Sequence, residues 1–531
     1  MYRIYISSDV SKEAQQALEK EFAVDILPNM PEDELCKVIG DYDAIIGRSQ
    51  MKITAKVLEA ARNLKVIGRA GVGIDGIDVP EATKRGVTVV NTPEANTIAA
   101  CEHTIALMLS TVRHIPQAHQ SIMEGRWDRK KFVGMQLSGK TLGIVGLGPI
   151  GSNVAKRLAA FDMHIIAYDP YISVDRAKRF GVELVDLDTL IAQSDFITLH
   201  VPLTNETRGM LGKEQFAKMK DGVRIINASR GPVIKLDELA EALKSGKVAG
   251  AAIDVWNSEP LKPEDNPFLG MTNVTLTPHL GASTVEAQKS VAVDVAKGVA
   301  AALRGEIVAS AVNTMHINKG VLAELQPYFE LCERIGNIGI YLTDGRISQA
   351  TVEYTGELSE TEVAPLTVSV VKGLLSPILQ QTVNFVNARN IAKDRGIEVR
   401  ELKAGKGKYF TTSITLKLDT DKGSHTITGV LFDKLEAKIV QIDGYHLDFE
   451  PKGYLLISPH IDKPGMIGQI AGILGKAGIN INGMQVGKGE QPGTNMMAVA
   501  VDNDIPGDIM LALRAIDGIL DLRVINCGKK N

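Results

Sequence analysis

Cysteine is scarce in this 531-residue chain: Cys36, Cys101, Cys332 and Cys527 stand far apart, with no CxxC pair. That spacing argues against a disulfide framework or a thiolate zinc site, so reduced structural thiols and no metal are expected. No uninterrupted apolar run approaches the roughly 20 residues that span a bilayer. The opening MYRIYISSDVSKEA turns polar after a short alternating stretch and lacks the apolar core and cleavage site of a signal peptide, so a cytoplasmic location is expected. An excess of one charge is also missing, since 59 Lys plus Arg face 63 Asp plus Glu for a net −4. A balance this near neutral argues against nucleic-acid or membrane partners drawn by a broad field, and anion recognition must be local. There is neither a low-complexity linker nor a short tandem repeat.

What is present is an ordinary globular balance, 44% hydrophobic and 23% charged. The chain is too long for one core, and three or four domains of about 100–200 residues are expected. The start alternates strand and helix: strands at 2–7, 44–47 and 65–69, and a helix at 12–21. A helical pattern free of Gly and Pro runs from Glu94 to Arg113 and could link two lobes. After Lys140 the alternation restarts, with six strands near 141–145, 164–168, 196–199, 224–227, 250–253 and 274–276. Alternation of this kind predicts parallel sheets wound with helices on both faces. A second long helix, 284–303, would return to the first lobe and make it discontinuous. Beyond Arg304 the pattern changes to a helix at 322–339 and strands at 349–354, 411–418 and 426–431, read as a separate α+β domain. The last stretch reads βαββαβ, a ferredoxin-like module. The expected division is 1–98 with 284–310, then 99–283, 311–451 and 452–531.

Chemistry enters at KTLGIVGLGPIGSNVAKRLAAF, where Gly146, Gly148 and Gly151 form GxGxxG between an apolar strand and a helix. Glycines there let a pyrophosphate approach the helix N-terminus, where free amides and the helix dipole favour anions. Asp169 ends the next strand, about 20 positions on. Its carboxylate would accept from the adenosine ribose hydroxyls and repel the extra phosphate of NADP, so NAD is preferred. Pro149 is unusual in such a loop but costs only one amide donor.

Three later segments, IINASRGPV, GAAIDVWNSEPL and LTPHLGAS, end in polar groups where a doubly wound sheet presents its ligands. Hydride transfer to or from a 2-hydroxy acid needs a proton acceptor, a cation for the carboxylate and a group that tunes the base. Arg230, Glu259 and His279 supply these three.

These segments resemble the signature motifs of the D-2-hydroxyacid dehydrogenase family, and the resemblance extends over nearly the whole chain. It implies that His279 is the general acid/base on the C2 hydroxyl, that Glu259 orients it and raises its pKa, and that Arg230 binds the substrate carboxylate. Asp254 would contact the nicotinamide carboxamide. The cofactor site it implies also takes in Pro149, Ile150, Pro202, Thr207, Ala228, Ser229, His279 and Gly281. In the first lobe, GRSQMKIT and IGRAGVGIDGIDV resemble the family's substrate loops, with Arg48, Gly71, Val72 and Gly73, and Asn96 resembles its interdomain residue. The glycines would let amides close on an anion. GRWDRKKFVG, with Arg126, Arg129, Lys130 and Lys131, resembles members that act on phosphorylated acids, in which such a loop lies near a subunit interface. Where family members often have a second Gly and an acidic residue after the Arg, this chain has Pro232 and Lys235.

The C-terminal third separates members of the family. LLISPHIDKPGMIGQIAGILGKAGININGMQVG resembles an ACT domain, an amino-acid-binding ferredoxin-like module, and residues 311–451, with VNFVNARNIAKDRGI, resemble the intervening domain of the long members. In those members His460, Asp462 and Asn480 fall where L-serine binds. The fold implied is two Rossmann-like domains, the first discontinuous, then an α+β intervening domain and an ACT domain. The activity implied is NAD-dependent oxidation of D-3-phosphoglycerate to 3-phosphohydroxypyruvate, carried out by a homotetramer sensitive to L-serine. Two other readings stay open from the sequence. One is a reductase of glyoxylate, hydroxypyruvate or lactate, against which the two extra domains argue, and the other is an NAD-sensing binding protein, against which the ACT module argues.

Overall fold

The computed structural model describes residues 1–315, 319–380, 382–405, 407, 409–433, 436–489 and 492–528. Among them the chain forms four sheets. The first contains β1 (Arg3–Ser7), β2 (Ala23–Leu27), β3 (Ala44–Gly47), β4 (Val66–Arg69) and β5 (Thr88–Val90), ordered β2-β1-β3-β4-β5 and parallel throughout. The second contains β6 (Thr141–Val145), β7 (His164–Tyr168), β8 (Glu183–Leu184), β9 (Phe196–Leu199), β10 (Val223–Asn227), β11 (Val248–Ile253) and β12 (Val274–Leu276). Its order, β12-β11-β10-β9-β6-β7-β8, reverses beside β6, and all its pairs are parallel. Ligands of such sheets gather outside the carboxyl ends of the strands at that reversal. Strands β9 and β11 are buried along nearly their whole length, as a sheet covered on both faces requires.

Two long helices tie the parallel sheets together. Thr97–Arg113 buries Cys101, Leu107, Met108 and Val112 in the core of the second sheet, beside Leu142 and Ile144. Val285–Leu303 starts at Thr284, whose hydroxyl caps the Ala287 amide at 3.1 Å, and returns to the first sheet. It buries Val291, Val295, Val299 and Leu303, spaced for one helical face, against Ile46, Val66 and Val90. Each such side chain contributes about 1.5–3 kcal/mol when fully buried. The approach is close: a Cβ on Gly68 would lie 2.7 Å from a methyl of Val299.

The third sheet contains β13 (Ile347–Thr355), β14 (Glu398–Ala404), β15 (Ile414–Thr420), β16 (Gly423–Phe432), β17 (Glu436–Ile442) and β18 (Tyr445–Phe449), ordered β14-β13-β15-β16-β17-β18. The fourth, of β19 (Tyr454–Ile461), β20 (Ile481–Lys488), β21 (Thr494–Val501) and β22 (Arg523–Asn526), is antiparallel in the order β20-β21-β19-β22. Helices Met466–Lys476 and Gly507–Arg514 complete its βαββαβ course.

The structure corrects several sequence expectations. The second sheet has seven strands rather than six, because β8 is only two residues long and carries no periodicity. In the first sheet β2 was missed, its AVDIL run being half exposed at an edge and broken by Asp25, as was the three-residue β5. The charged edge strand β14, EVRELKA, and the hairpin β17–β18 were missed in the third sheet. The helix read at 322–339 is two, Lys319–Leu325 and Tyr328–Leu342, because Pro327 lacks the amide a continuous helix needs.

Candidate active site

The glycine turn, Asp169 and the three polar segments of the second domain each follow the carboxyl end of a strand, whereas the basic run GRWDRKKFVG follows the helix Ile115–Met123. Gly146 leaves β6 with φ +92, a conformation that favours glycine, and its amide donates to the Tyr168 carbonyl at 2.9 Å. Gly148 caps the helix Pro149–Ala159, with Pro149 in its first turn, where a missing amide costs nothing. A Cβ on Gly148 would meet nothing within 4 Å, so the helix N-terminus is open to an anion. Gly151 has no such room, since its Cβ would lie 2.1 Å from the Gly146 carbonyl oxygen. Gly151→Ala is expected to part the turn from the helix, lowering stability by about 1–3 kcal/mol and weakening dinucleotide binding, which thermal unfolding with and without NAD would measure. Asp169 follows β7 and accepts from the Leu147 and Tyr171 amides, both at 2.9 Å, which aims its carboxylate across the glycine turn. Each oxygen keeps a lone pair for a ribose hydroxyl. An open helix N-terminus and a carboxylate across it fit NAD. After β9, the Thr207 hydroxyl donates to the Pro202 carbonyl at 2.7 Å and closes the next loop.

After β10, Asn227 organises the turn of Ala228 and Ser229: its side-chain oxygen accepts from the Ser229 amide and hydroxyl, and its amide donates to the Arg230 carbonyl at 2.9 Å. Arg230 Nη1 donates to the Ser229 carbonyl at 2.7 Å, and Nε lies 3.3 Å from Asp75 Oδ2 on the first lobe. A Cβ on Gly73 would stand 2.6 Å from Arg230 Nη2, so the Val72–Gly73 loop abuts the guanidinium across the junction of the lobes.

After β11 comes Asp254, fully buried. Burial pushes its pKa up, but hydrogen bonds from His103, Thr277 and the Leu280 amide outweigh that and bring it down to about 2. The Gly281 amide also donates to it, at 3.0 Å. Glu259 and His279 meet at 2.7 Å between Oε2 and Nδ1, and the Trp256 amide steadies the other Glu259 oxygen at 3.2 Å. The hydrogen bond to Glu259 raises the pKa of His279 against the opposing effect of burial, the charges of Glu259 and Asp254 add to the rise, and Arg230 opposes it. Burial pushes Glu259 up, yet its bond to His279 leaves it lowered, so the pair agrees on a charge-stabilising contact. Nδ1 faces the carboxylate, which leaves Nε2 free to take a proton.

A base that works when neutral loses rate as pH falls through its pKa. Because Glu259 raises that pKa, Glu259→Gln is expected to move the acid limb of kcat/KM for oxidation to lower pH, with a lower plateau. A pH series of initial rates on both proteins checks it, and an unmoved limb would sever Glu259 from His279.

The structure does not gather every residue singled out. Among the described residues the Arg48 side chain has no hydrogen-bond or ion-pair partner, although its backbone is held by Arg69. Asn96 begins the helix Thr97–Arg113 with a buried side-chain oxygen that has no hydrogen-bond partner among the described residues. Arg129, Lys130 and Lys131 sit on the exposed turn Arg129–Phe132, where Lys131 pairs with Asp128 at 3.2 Å. In the C-terminal module, His460 is buried and bonds the Ser458 carbonyl, Asn480 bonds Asp502 at 3.0 Å, and the Asp462 amide bonds Gly493. No hydrogen bond joins these three among the described residues.

Four polar residues of the site were missed. Asp75, His103 and Thr277 bond residues far away in sequence, Asp75 being 155 positions from Arg230 and His103 174 from Thr277. Buried Arg69, pushed down to about 10 by burial, also holds the Met51 carbonyl at 2.9 Å. Such pairings leave no periodic signal, though Asp75 stands inside the glycine segment already singled out.

Two parallel α/β lobes with an Arg, a Glu and a His at strand ends beside a glycine turn define an NAD-binding dehydrogenase of D-2-hydroxy acids, and residues 105–281 match the D-isomer specific 2-hydroxyacid dehydrogenase NAD binding domain. Residues 324–443 match the D-3-phosphoglycerate dehydrogenase intervening domain and 454–518 the ACT domain. The chain belongs to the D-3-phosphoglycerate dehydrogenase family, in its long form. It is 44% identical to the D-3-phosphoglycerate dehydrogenase of Methanocaldococcus jannaschii over 99% of this chain and 100% of that one. Identity to the Archaeoglobus fulgidus D-3-phosphoglycerate dehydrogenase is 42%, over 98% of this chain and 99% of that one. Among solved structures, it resembles a D-lactate dehydrogenase of Aquifex aeolicus complexed with NAD and lactic acid, at 29% identity and TM-score 0.52, over 58% of this chain and 98% of that one. Among the described residues no helix is long and apolar enough to cross a membrane, and no group of side chains could hold a metal.

Proposed function

We propose that this protein oxidises D-3-phosphoglycerate to 3-phosphohydroxypyruvate with NAD, the entry step of L-serine synthesis. The observation that carries the reading is the 2.7 Å Glu259–His279 pair within electrostatic reach of Arg230. The substrate follows from the full-length likeness to proteins named D-3-phosphoglycerate dehydrogenase. Bound NAD supplies the hydride acceptor for C2.

Arg230 holds the substrate carboxylate through its planar fork, beside the backbone of Val72 and Gly73. His279 Nε2 takes the C2 hydroxyl proton as the carbonyl forms, while Glu259 fixes the ring through Nδ1 and stabilises the imidazolium. Arg48, unpaired among the described residues, is the cation for the phosphate, and Asn96 supplies an acceptor at the junction of the lobes. Arg129, Lys130 and Lys131 serve the site of a neighbouring subunit in a cytoplasmic homotetramer. Gly146, Gly148, Pro149, Ile150 and Gly151 hold the pyrophosphate, Asp169 the ribose, and Pro202, Thr207, Ala228, Ser229, Asp254 and Gly281 the remainder of the dinucleotide. We divide the chain into a substrate lobe (1–98 and 284–310), an NAD lobe (99–283), an intervening domain (311–451) and an ACT domain (452–531). His460, Asp462 and Asn480 form an L-serine site that lowers activity.

Initial rates of NAD reduction with D-3-phosphoglycerate, D-glycerate, D-lactate and glycolate test the substrate, and repeats with excess L-serine test the effector. Strong preference for the phosphorylated acid, suppressed by serine, is expected. Preference for an unphosphorylated acid would overturn the substrate assignment, and serine-insensitive turnover would overturn the effector assignment.

A further inference from the structure

Asp254 is the hub of the loop that carries His279. Its carboxylate receives the Thr277 hydroxyl at 2.6 Å and the Leu280 amide at 2.8 Å on Oδ1, and the Gly281 amide at 3.0 Å on Oδ2. Its carbonyl receives the His279 amide at 2.8 Å. Donors on both sides of His279 therefore converge on one residue. They hold a conformation that would not persist unaided: His279 has φ +60, in the left-handed region that side chains rarely adopt.

One further donor reaches that carboxylate. His103 Nε2 lies 3.1 Å from Asp254 Oδ1 and 3.4 Å from Thr277 Oγ1. Among the described residues it is the one partner of the Asp254 carboxylate from outside the 277–281 turn. It stands, partly buried, on the helix Thr97–Arg113, whose buried Cys101, Leu107, Met108 and Val112 pack into the core of the second sheet and give it a rigid base. The turn's own donors fix it to Asp254, and His103 fixes Asp254 in place. The charged and titratable groups facing this unit are His103 on Asp254, and Glu259, Asp254 and Arg230 on His279.

We infer that His103 is a positioning residue for the dehydrogenase reaction: through Asp254 it sets the loop that presents His279 to the substrate. The inference rests on the function proposed above. It requires that the His103 ring carry its proton on Nε2, since a bare Nε2 would oppose the carboxylate instead of donating to it.

The test uses the full-length enzyme. His103→Leu and His103→Phe remove the donor, the second keeping a flat ring, whereas His103→Gln retains an N–H donor. The first two are expected to lower kcat about tenfold, the value of one hydrogen bond to a charged group, with KM for substrate and NAD little changed, and His103→Gln to restore most of the loss. Wild-type kcat in the Leu and Phe variants, or a Gln variant as slow as they are, would overturn the inference while leaving the proposed function intact. A wild-type enzyme that oxidises no hydroxy acid would overturn both. Nitrogen-15 NMR of the wild-type imidazoles needs no variant to fold: Nε2-protonated His103 is expected, and the Nδ1–H tautomer would overturn the inference directly.

Discussion

Replacing His279 with alanine is expected to lower kcat for D-3-phosphoglycerate by about 10²–10⁴-fold, the contribution of a positioned general base. No described neighbour can substitute for it. Glu259 is held by the Trp256 amide and lies on the Nδ1 side of the imidazole, a ring's width from the place where Nε2 takes the proton. Asp254 is fully buried and its pKa is held down to about 2, which makes it a poor base. The Gly146–Gly151 turn and Asp169 do not bond His279, so NAD affinity should remain near that of the wild type. Steady-state rates and NAD titration by fluorescence measure the two quantities. Loss of NAD binding in step with kcat would mean the site had collapsed and would remove His279 from the proton path.

Arg230→Ala is expected to have the next largest effect, a fall in kcat/KM of roughly 10³-fold, since two charge-assisted hydrogen bonds to a carboxylate contribute about 1.5–3 kcal/mol each. The guanidinium donates locally to the Ser229 carbonyl and pairs across the lobes with Asp75. The pair with Asp75 is partly solvent-exposed and contributes little to stability, so the variant should unfold near the wild-type temperature while its KM for substrate rises. Arg230→Lys should recover only part of the loss, because an ammonium lacks the planar fork. Full activity in the lysine variant would show that charge alone suffices and would contradict bidentate binding.

The residues of this site that could be found from sequence share one property: they lie next to a strand that is itself easy to see. Arg230, Asp254 and His279 each lie within three residues of the end of a largely buried strand in the second domain, and Gly146 directly follows another. The residues that were missed hold the site together at long range. His103 lies on a helix whose pattern was clear, but nothing local marks it as facing Asp254 rather than the core beside Met108. Asp75 and Arg69 act across loops whose closeness exists only once the sheets are wound. The fold follows the same division. Buried parallel strands such as β9 and β11 were legible because both faces are apolar, whereas edge strands β2 and β14 were hidden by Asp25 and by the charges of EVRELKA. The basic turn Arg129–Lys131 was legible as charge but not as a site, and by itself it remains a surface turn.

The most direct test of the account is to follow the hydrogen on C2. D-3-phosphoglycerate deuterated at C2 would be incubated with the full-length enzyme and NAD, and the reduced cofactor analysed by mass spectrometry and proton NMR. NADH carrying deuterium at the nicotinamide is expected, with 3-phosphohydroxypyruvate formed in equal amount. NADH without deuterium, or no NADH from this substrate, would contradict it.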